Sequence, residues 1–172
     1  MASCYDSRMS EQPENTAPHE RDSAARDLEA DRRRKLESIR QTYAIDPYGH
    51  RLEGLISLAE ARREYDAAAD EAHKADAAQD RRPRVRIAGR IVQHRVMGNL
   101  IFMQLRDESG DMQLAVSKKA VGPATFKLAK QCELSDIVAA EGPLAKTKTG
   151  EITVWAEARD PAARSEAILK GE

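Results

Sequence analysis

The chain has 172 residues, a third of them charged, and a formal net charge of −1, so it holds one domain with a core plus extra segments and has no global field drawing it to nucleic acid. Its two cysteines, Cys4 and Cys132, are far apart, which excludes a disulfide scaffold or structural zinc site and fits a reducing cytoplasm. No apolar run reaches the ~20 residues of a membrane span, and the first residues lack the apolar stretch of a signal peptide.

The chain opens with a polar segment, 1–20, that carries two prolines and reads as a disordered tail. Residues 21–83 read as a helical extension. Its first helix, 21–42, is free of Gly and Pro, and Leu36, Ile39 and Tyr43 recur at helical spacing. The same stretch carries Arg32, Arg33, Arg34, Lys35 and Arg40. A solvated helix face accounts for these cations; the functional alternative is a basic helix along RNA phosphates. A connector rich in turn residues follows, 45–54. A second helix is predicted over 57–78, with Ser57 and Glu60 at capping-box spacing. Its stripe of Leu58, Ala61, Tyr65, Ala68 and Ala72 is thin, so it is expected to lie on a surface.

After Pro83 the period changes from helical to alternating, and 84–159 reads as a β domain. Val85, Ile87 and Ile91 point one way and Arg84, Arg86 and Arg90 the other, with Gly89 expected at a bend or bulge. Leu100 to Arg106 and Met112 to Ser117 form the next strands, joined by a hairpin loop at Asp107 to Gly110. A short helix follows Gly122-Pro123, then strands at 137–145 and 152–157. The tail, 160–172, reads as helical or frayed. Three strands, a helix and two strands is the order of the OB-fold, a five-stranded Greek-key barrel whose strand 2–3 face and loops bind oligonucleotides. Other small barrels share part of this pattern. The fold class is therefore β with flanking helices (α+β), a five-stranded OB-fold barrel preceded by two N-terminal helices. From Arg84 to Glu151 there are 11 Lys/Arg against 7 Asp/Glu, so a basic module sits in a neutral chain.

Within the second strand Ile101, Met103 and Leu105 face the core, which sends Phe102 outward with Gln104 and Arg106. A lone surface hydrophobe is common; the functional reading is a stacking platform for an unpaired base. Strand three sends Gln113 to the same face. If 107–110 form a four-residue loop, Gln104 lies opposite Gln113 and Phe102 is diagonal to it. An amide beside an aromatic can donate to and accept from a base edge, although a solvated Gln is the plainer reading. Arg95 ends strand one; alternation would send it inward, but parity after Gly89 is unreliable. Lys146 and Lys148 put cations at the barrel mouth, where phosphates dock, and Glu151 follows them as an acceptor for a base. For Arg95 and Glu151 a solvated charge beside a turn is the alternative. Catalytic constellations are absent: the four histidines have no metal-ligand spacing, and the glycines form neither a P-loop nor GxGxxG.

These residues carry a family resemblance. Arg33-Arg34-Lys35-Leu36 followed by Pro47-Tyr48, then Val85 to Ile91, Arg95-Val96-Met97-Gly98, Phe102, Leu105-Arg106-Asp107 with Gly110, Gln113, Asp136-Ile137-Val138, Glu141-Gly142 and Lys146 to Glu151 together resemble the N-terminal, anticodon-binding part of bacterial class II lysyl-tRNA synthetases. The resemblance implies that an aromatic, Phe102, stacks on the middle base of a uridine-rich lysine anticodon. It implies that Arg95 and Gln113 read that base's edge and that Glu151 contacts the third base. Arg33, Arg34, Lys35, Lys146 and Lys148 are the expected phosphate contacts. The partners implied are lysine tRNA and, through dimerisation, a second copy or a full-length synthetase, with no membrane and a cytoplasmic location. Ile101, Asn99 and Ala145 depart from the family pattern without removing the reading set. The segment 160–164 does not resemble the linker into the family's catalytic domain. The expectation is therefore that this chain alone does not ligate lysine to tRNA, and that no cofactor belongs to it, ATP and magnesium being the business of a catalytic domain.

Overall fold

Alternating apolar side chains lay down the barrel. The computed structural model describes residues 18–43, 51–157 and 168–171; the expected disordered tail lies almost wholly outside them. The chain divides into two units, Met1–Ser38 and Ile39–Glu172. The first contains most of helix α1 (Pro18–Tyr43), where Arg33 pairs with Glu29 and Arg34 with Asp31, one helical turn apart.

The second unit holds α2 (Leu58–Arg63), α3 (Ala67–Ala75), β1 (Arg84–Met97), β2 (Leu100–Asp107), β3 (Gly110–Ser117), α4 (Lys118–Gln131), β4 (Ile137–Lys146), β5 (Ile152–Ala156) and β6 (Ile168–Gly171). Strand order is β1-β2-β3-β5-β4, and β4 returns to pair with β1, which closes a five-stranded barrel. β3 and β5 run parallel; the other pairings are antiparallel. The inward side chains form one core: Val85, Ile87 and Ile91 from β1, Ile101, Met103 and Leu105 from β2, Met112, Leu114 and Val116 from β3, Leu144 from β4 and Val154 from β5. Each such burial contributes roughly 1.5–3 kcal/mol. Where β4 leaves β1 for β5 the backbones nearly touch: a Cβ on Gly142 would sit 1.8 Å from the Trp155 carbonyl oxygen. Only glycine fits there.

Four elements differ from expectation. The second helix is two, because Asp66 takes an extended conformation and its carboxylate accepts the Ala68 and Ala69 N–H groups, starting a new helix. Nor does that helical region merely lie on a surface: Leu58 and Ala61 enter the core and Tyr65 packs against it. The capping box at Ser57 and Glu60 forms as its spacing predicts. The bulge in β1 falls at Val92, between Ile91 and Gln93, while Gly89 pairs regularly with Val138; a side chain on Gly89 would press on the Leu105 Cβ at 3.0 Å. Helix α4 begins a turn earlier than predicted and breaks at Gly122, whose φ of 82° is left-handed, before Pro123 restarts it. The tail, expected helical or frayed, supplies β6, which pairs with Ile137–Ala140 of β4.

Candidate nucleic-acid interface

The bulge at Val92 decides which way Arg95 faces. Beyond it β1 resumes one residue out of phase, so His94 pairs with the inward Met103 and Arg95 pairs with Phe102. Directly paired residues share a face, so Arg95, which uninterrupted alternation would bury, joins Phe102 outside the barrel. Phe102 pairs on its other side with Ala115, and Ala115 pairs with Trp155 of β5. One row across four strands thus reads Arg95, Phe102, Ala115, Trp155.

Neighbouring strands lie ~4.8 Å apart, so Phe102 and Trp155 stand on backbones roughly 10 Å apart. Their rings nevertheless approach edge to face, with centroids 6.4 Å apart and planes at 76°. Ala115, buried beneath them, leaves the space for both to lean inward. Edge-to-face contact of this kind adds about 0.5–1.5 kcal/mol beyond burial and holds the half-buried Phe102 ring upright. Trp155, the chain's single tryptophan, is not among the residues singled out from the sequence. The same alternation that sends Val154 inward sends Trp155 outward, and that signal was present. Its indole N–H is buried with no hydrogen-bond partner among the described residues.

The next row is polar: Gln93, Gln104, Gln113 and Thr153. Gln104 lies opposite Gln113 as predicted, with Phe102 diagonal to Gln113. The Thr153 hydroxyl lies 2.9 Å from the Gln113 Oε1. Glu151 precedes Thr153 by two residues and approaches Arg62 of α2, with 3.6 Å between Nη2 and Oε1; Arg62 also donates to the Asp111 carbonyl at 2.8 Å. Glu151 is half-exposed, so this pair contributes little to stability.

The turn after β4 is well organised. Thr147 N–H donates to the Glu151 carbonyl at 2.9 Å, and Gly150 N–H to the Thr147 carbonyl at 2.9 Å. Lys148 projects from it, exposed. Lys146 is anchored: its backbone N–H donates to Asp70 at 3.0 Å and its ammonium lies 5.1 Å from the Tyr65 ring centre. Burial pushes the Asp70 carboxyl up, but hydrogen bonds from the Lys146 backbone, Tyr65 and Lys74 outweigh it and hold the pKa below the ordinary value. α3 thereby ties down the end of β4.

The basic face predicted for the first half of β1 is largely neutralised. Arg84 pairs with Glu157 at 2.9 Å, Arg86 with its cross-strand partner Glu141 at 2.6 Å, and Arg90 donates to the Ser135 carbonyl at 2.9 Å. Arg106 forks onto Asp111 at 2.6 and 2.8 Å, which holds the Asp111 carboxyl below its ordinary pKa. Arg95, by contrast, is exposed and has no such partner among the described residues. The surface therefore combines one available guanidinium, an aromatic pair, an amide row and a carboxylate at the rim. Arg33, Arg34 and Lys35 belong to the other unit. No cluster of three metal-ligating side chains occurs among the described residues, and no described helix is long and apolar enough to cross a membrane.

A closed five-stranded barrel with parallel β3–β5 pairing and an aromatic on its strand 2–3 face defines an OB-fold domain. Residues 85–159 match the tRNA anti-codon family, described as an OB-fold nucleic acid binding domain. More particularly, the chain is similar over most of its length to bacterial lysine–tRNA ligases. The chain is 40% identical over 126 residues to lysine–tRNA ligase of Methylobacillus flagellatus, covering 73% of this chain and 23% of that protein. It is 34% identical over 126 residues to lysine–tRNA ligase of Enterococcus faecalis, covering 73% and 24%. It thus spans about a quarter of the length of these relatives. A crystal structure of asparaginyl-tRNA synthetase from Pyrococcus horikoshii is similar with a TM-score of 0.46 and 24% identity, over 60% of this chain and 22% of that one.

Proposed function

We propose that this chain binds the anticodon of lysine tRNA, with the base-reading chemistry on the outer face of β1, β2, β3 and β5. The observation that carries the reading is the juxtaposition of Arg95 and Phe102 as a cross-strand pair, with Gln113 diagonal to the ring. An unpaired base stacked on Phe102 would meet a bidentate donor on one side and an amide on the other. Glu151 at the rim contacts the third anticodon base. Lys146 and Lys148, with Arg33, Arg34 and Lys35 of α1, meet phosphates. In this reading the domain takes no cofactor, ATP and magnesium being assigned to a separate catalytic domain. The working location is the cytoplasm. The test is a binding titration of the chain against lysine tRNA and the same tRNA with its anticodon uridines replaced, at two salt concentrations. We expect tight, salt-weakened binding to the first only; equal binding to both refutes the reading.

A second reading keeps the fold and changes the partner: a dimerisation module that pairs with itself or with a full-length synthetase. The exposed apolar side chains Val96, Met97 and Leu134 favour it. Co-purification with the synthetase that survives ribonuclease treatment is its expected signature.

A further inference from the structure

We infer that Thr153 is a specificity-determining residue: its hydroxyl fixes the Gln113 carboxamide with the oxygen held to the sheet and the NH2 group turned out, so that the site prefers a base presenting an acceptor. The inference rests on the anticodon reading above and names how the middle base is told apart from its nearest competitor. Thr153 is fully buried on β5 and is the register partner of Gln113 across the parallel β3–β5 pair. Its Oγ1 has two acceptors in reach, the Gln113 Oε1 at 2.9 Å and the Glu151 carbonyl at 3.1 Å, but a hydroxyl has one proton. The Glu151 carbonyl, with two lone pairs, already has two other donors in reach, the Thr147 N–H at 2.9 Å and the Thr147 hydroxyl at 3.5 Å. The threonine proton is therefore best used on Gln113, and that choice decides the orientation of the amide.

The alternative is chemically distinct. If the Thr153 proton went to Glu151, the threonine oxygen would accept from the Gln113 NH2, and the amide would present its carbonyl to the ligand. Gln113 would then seek a donor. As arranged, it offers a donor and seeks an acceptor. Uracil presents a keto oxygen where cytosine presents an amino group, so a fixed donor favours uracil and meets cytosine donor to donor. Thr153 never touches the base; it is a positioning residue acting through Gln113.

The experiment uses two anticodon stem-loops, with U or C at the middle position, against the full chain and two variants. Wild type is expected to prefer U. Thr153→Val, nearly isosteric, is expected to lower the U-to-C affinity ratio by about fivefold, the scale of one neutral hydrogen bond, with Thr153→Ser restoring it. Gln113→Glu, which turns an acceptor outward while still accepting from Thr153, is expected to shift preference toward C, and it reports even if the valine variant does not fold. An unchanged ratio in folded Thr153→Val, or retained U preference in Gln113→Glu, overturns the inference while leaving anticodon binding intact. Wild type that binds neither loop overturns the anticodon reading, and the role of Thr153 with it.

Discussion

Replacing Phe102 by alanine removes two things at once, and their sizes can be separated. The ring is half-buried and meets Trp155 edge to face at 6.4 Å. Loss of that pair costs about 0.5–1.5 kcal/mol of stability beyond the area exposed. In the proposed reading the face of the ring is the platform for a base, and stacking on an aromatic is worth roughly 1–3 kcal/mol per base, or about 5- to 150-fold in affinity. Phe102→Leu restores apolar bulk without the π-face. We therefore expect Phe102→Ala to lower both the urea midpoint and RNA affinity, and Phe102→Leu to recover much of the midpoint but little of the affinity. Binding is measured by anisotropy of a labelled anticodon stem-loop. Trp155, the single tryptophan, gives a second signal, since a base stacked on Phe102 lies next to the indole and should quench its emission. An alanine variant that binds within twofold of wild type, despite a lowered midpoint, would reduce Phe102 to a packing residue and remove the platform from the argument.

Gly142→Ala tests the crossing of β4 over β5. Its Cβ would fall 1.8 Å from a backbone oxygen and 2.6 Å from the attached carbon, neither of which can swing aside. We expect a loss of about 3 kcal/mol, read as a lowered thermal midpoint by circular dichroism; a midpoint unchanged within error would contradict the close approach. Acid should unfold the protein through its anchored aspartates. The Arg82 guanidinium beside Asp80 lowers that carboxyl from 3.8 to about 2. Asp70 and Asp107 are also held low, their hydrogen bonds outweighing the upward push of burial. A carboxyl with a depressed folded pKa contributes its stability above the unfolded value and loses it as pH falls through the folded one. The urea midpoint should thus hold as pH drops toward 4 and then decline toward 2, with a shallower decline in Asp70→Asn. A flat profile across that window would count against these anchors.

The barrel was legible because its signal is simple. In β2 and β3 the apolar set Ile101, Met103, Leu105, Met112, Leu114 and Val116 occurs at strict alternation, and each is fully buried. The same alternation sent Phe102 and Gln113 outward. Arg95 resisted because its direction depends on one extra residue at Val92, and a valine in a strand carries no mark of a bulge. The break between α2 and α3 was hidden for a related reason. Glu64-Tyr65-Asp66 contains no Gly or Pro, and the turn there comes from the Asp66 carboxylate capping Ala68 and Ala69 while Tyr65 packs against the core. The neutralised arginines of β1 were illegible because their partners, Glu141 and Glu157, lie more than 50 residues away.

The parallel pairing of β3 with β5 has a consequence for how the protein comes to work. Gln113 and Thr153 are 40 residues apart, and Phe102 meets a ring still further along the chain. Contacts of such long separation form late, after the loop between them has been closed. A chain emerging during synthesis therefore has no complete face of Arg95, Phe102, Gln113 and Thr153 until β5 is in place. Any RNA gripped by that surface selects the finished fold over every partly folded one. Ligand at 100 times its dissociation constant would add about 2.7 kcal/mol to the stability of the whole barrel, so that occupancy and structural integrity rise and fall together.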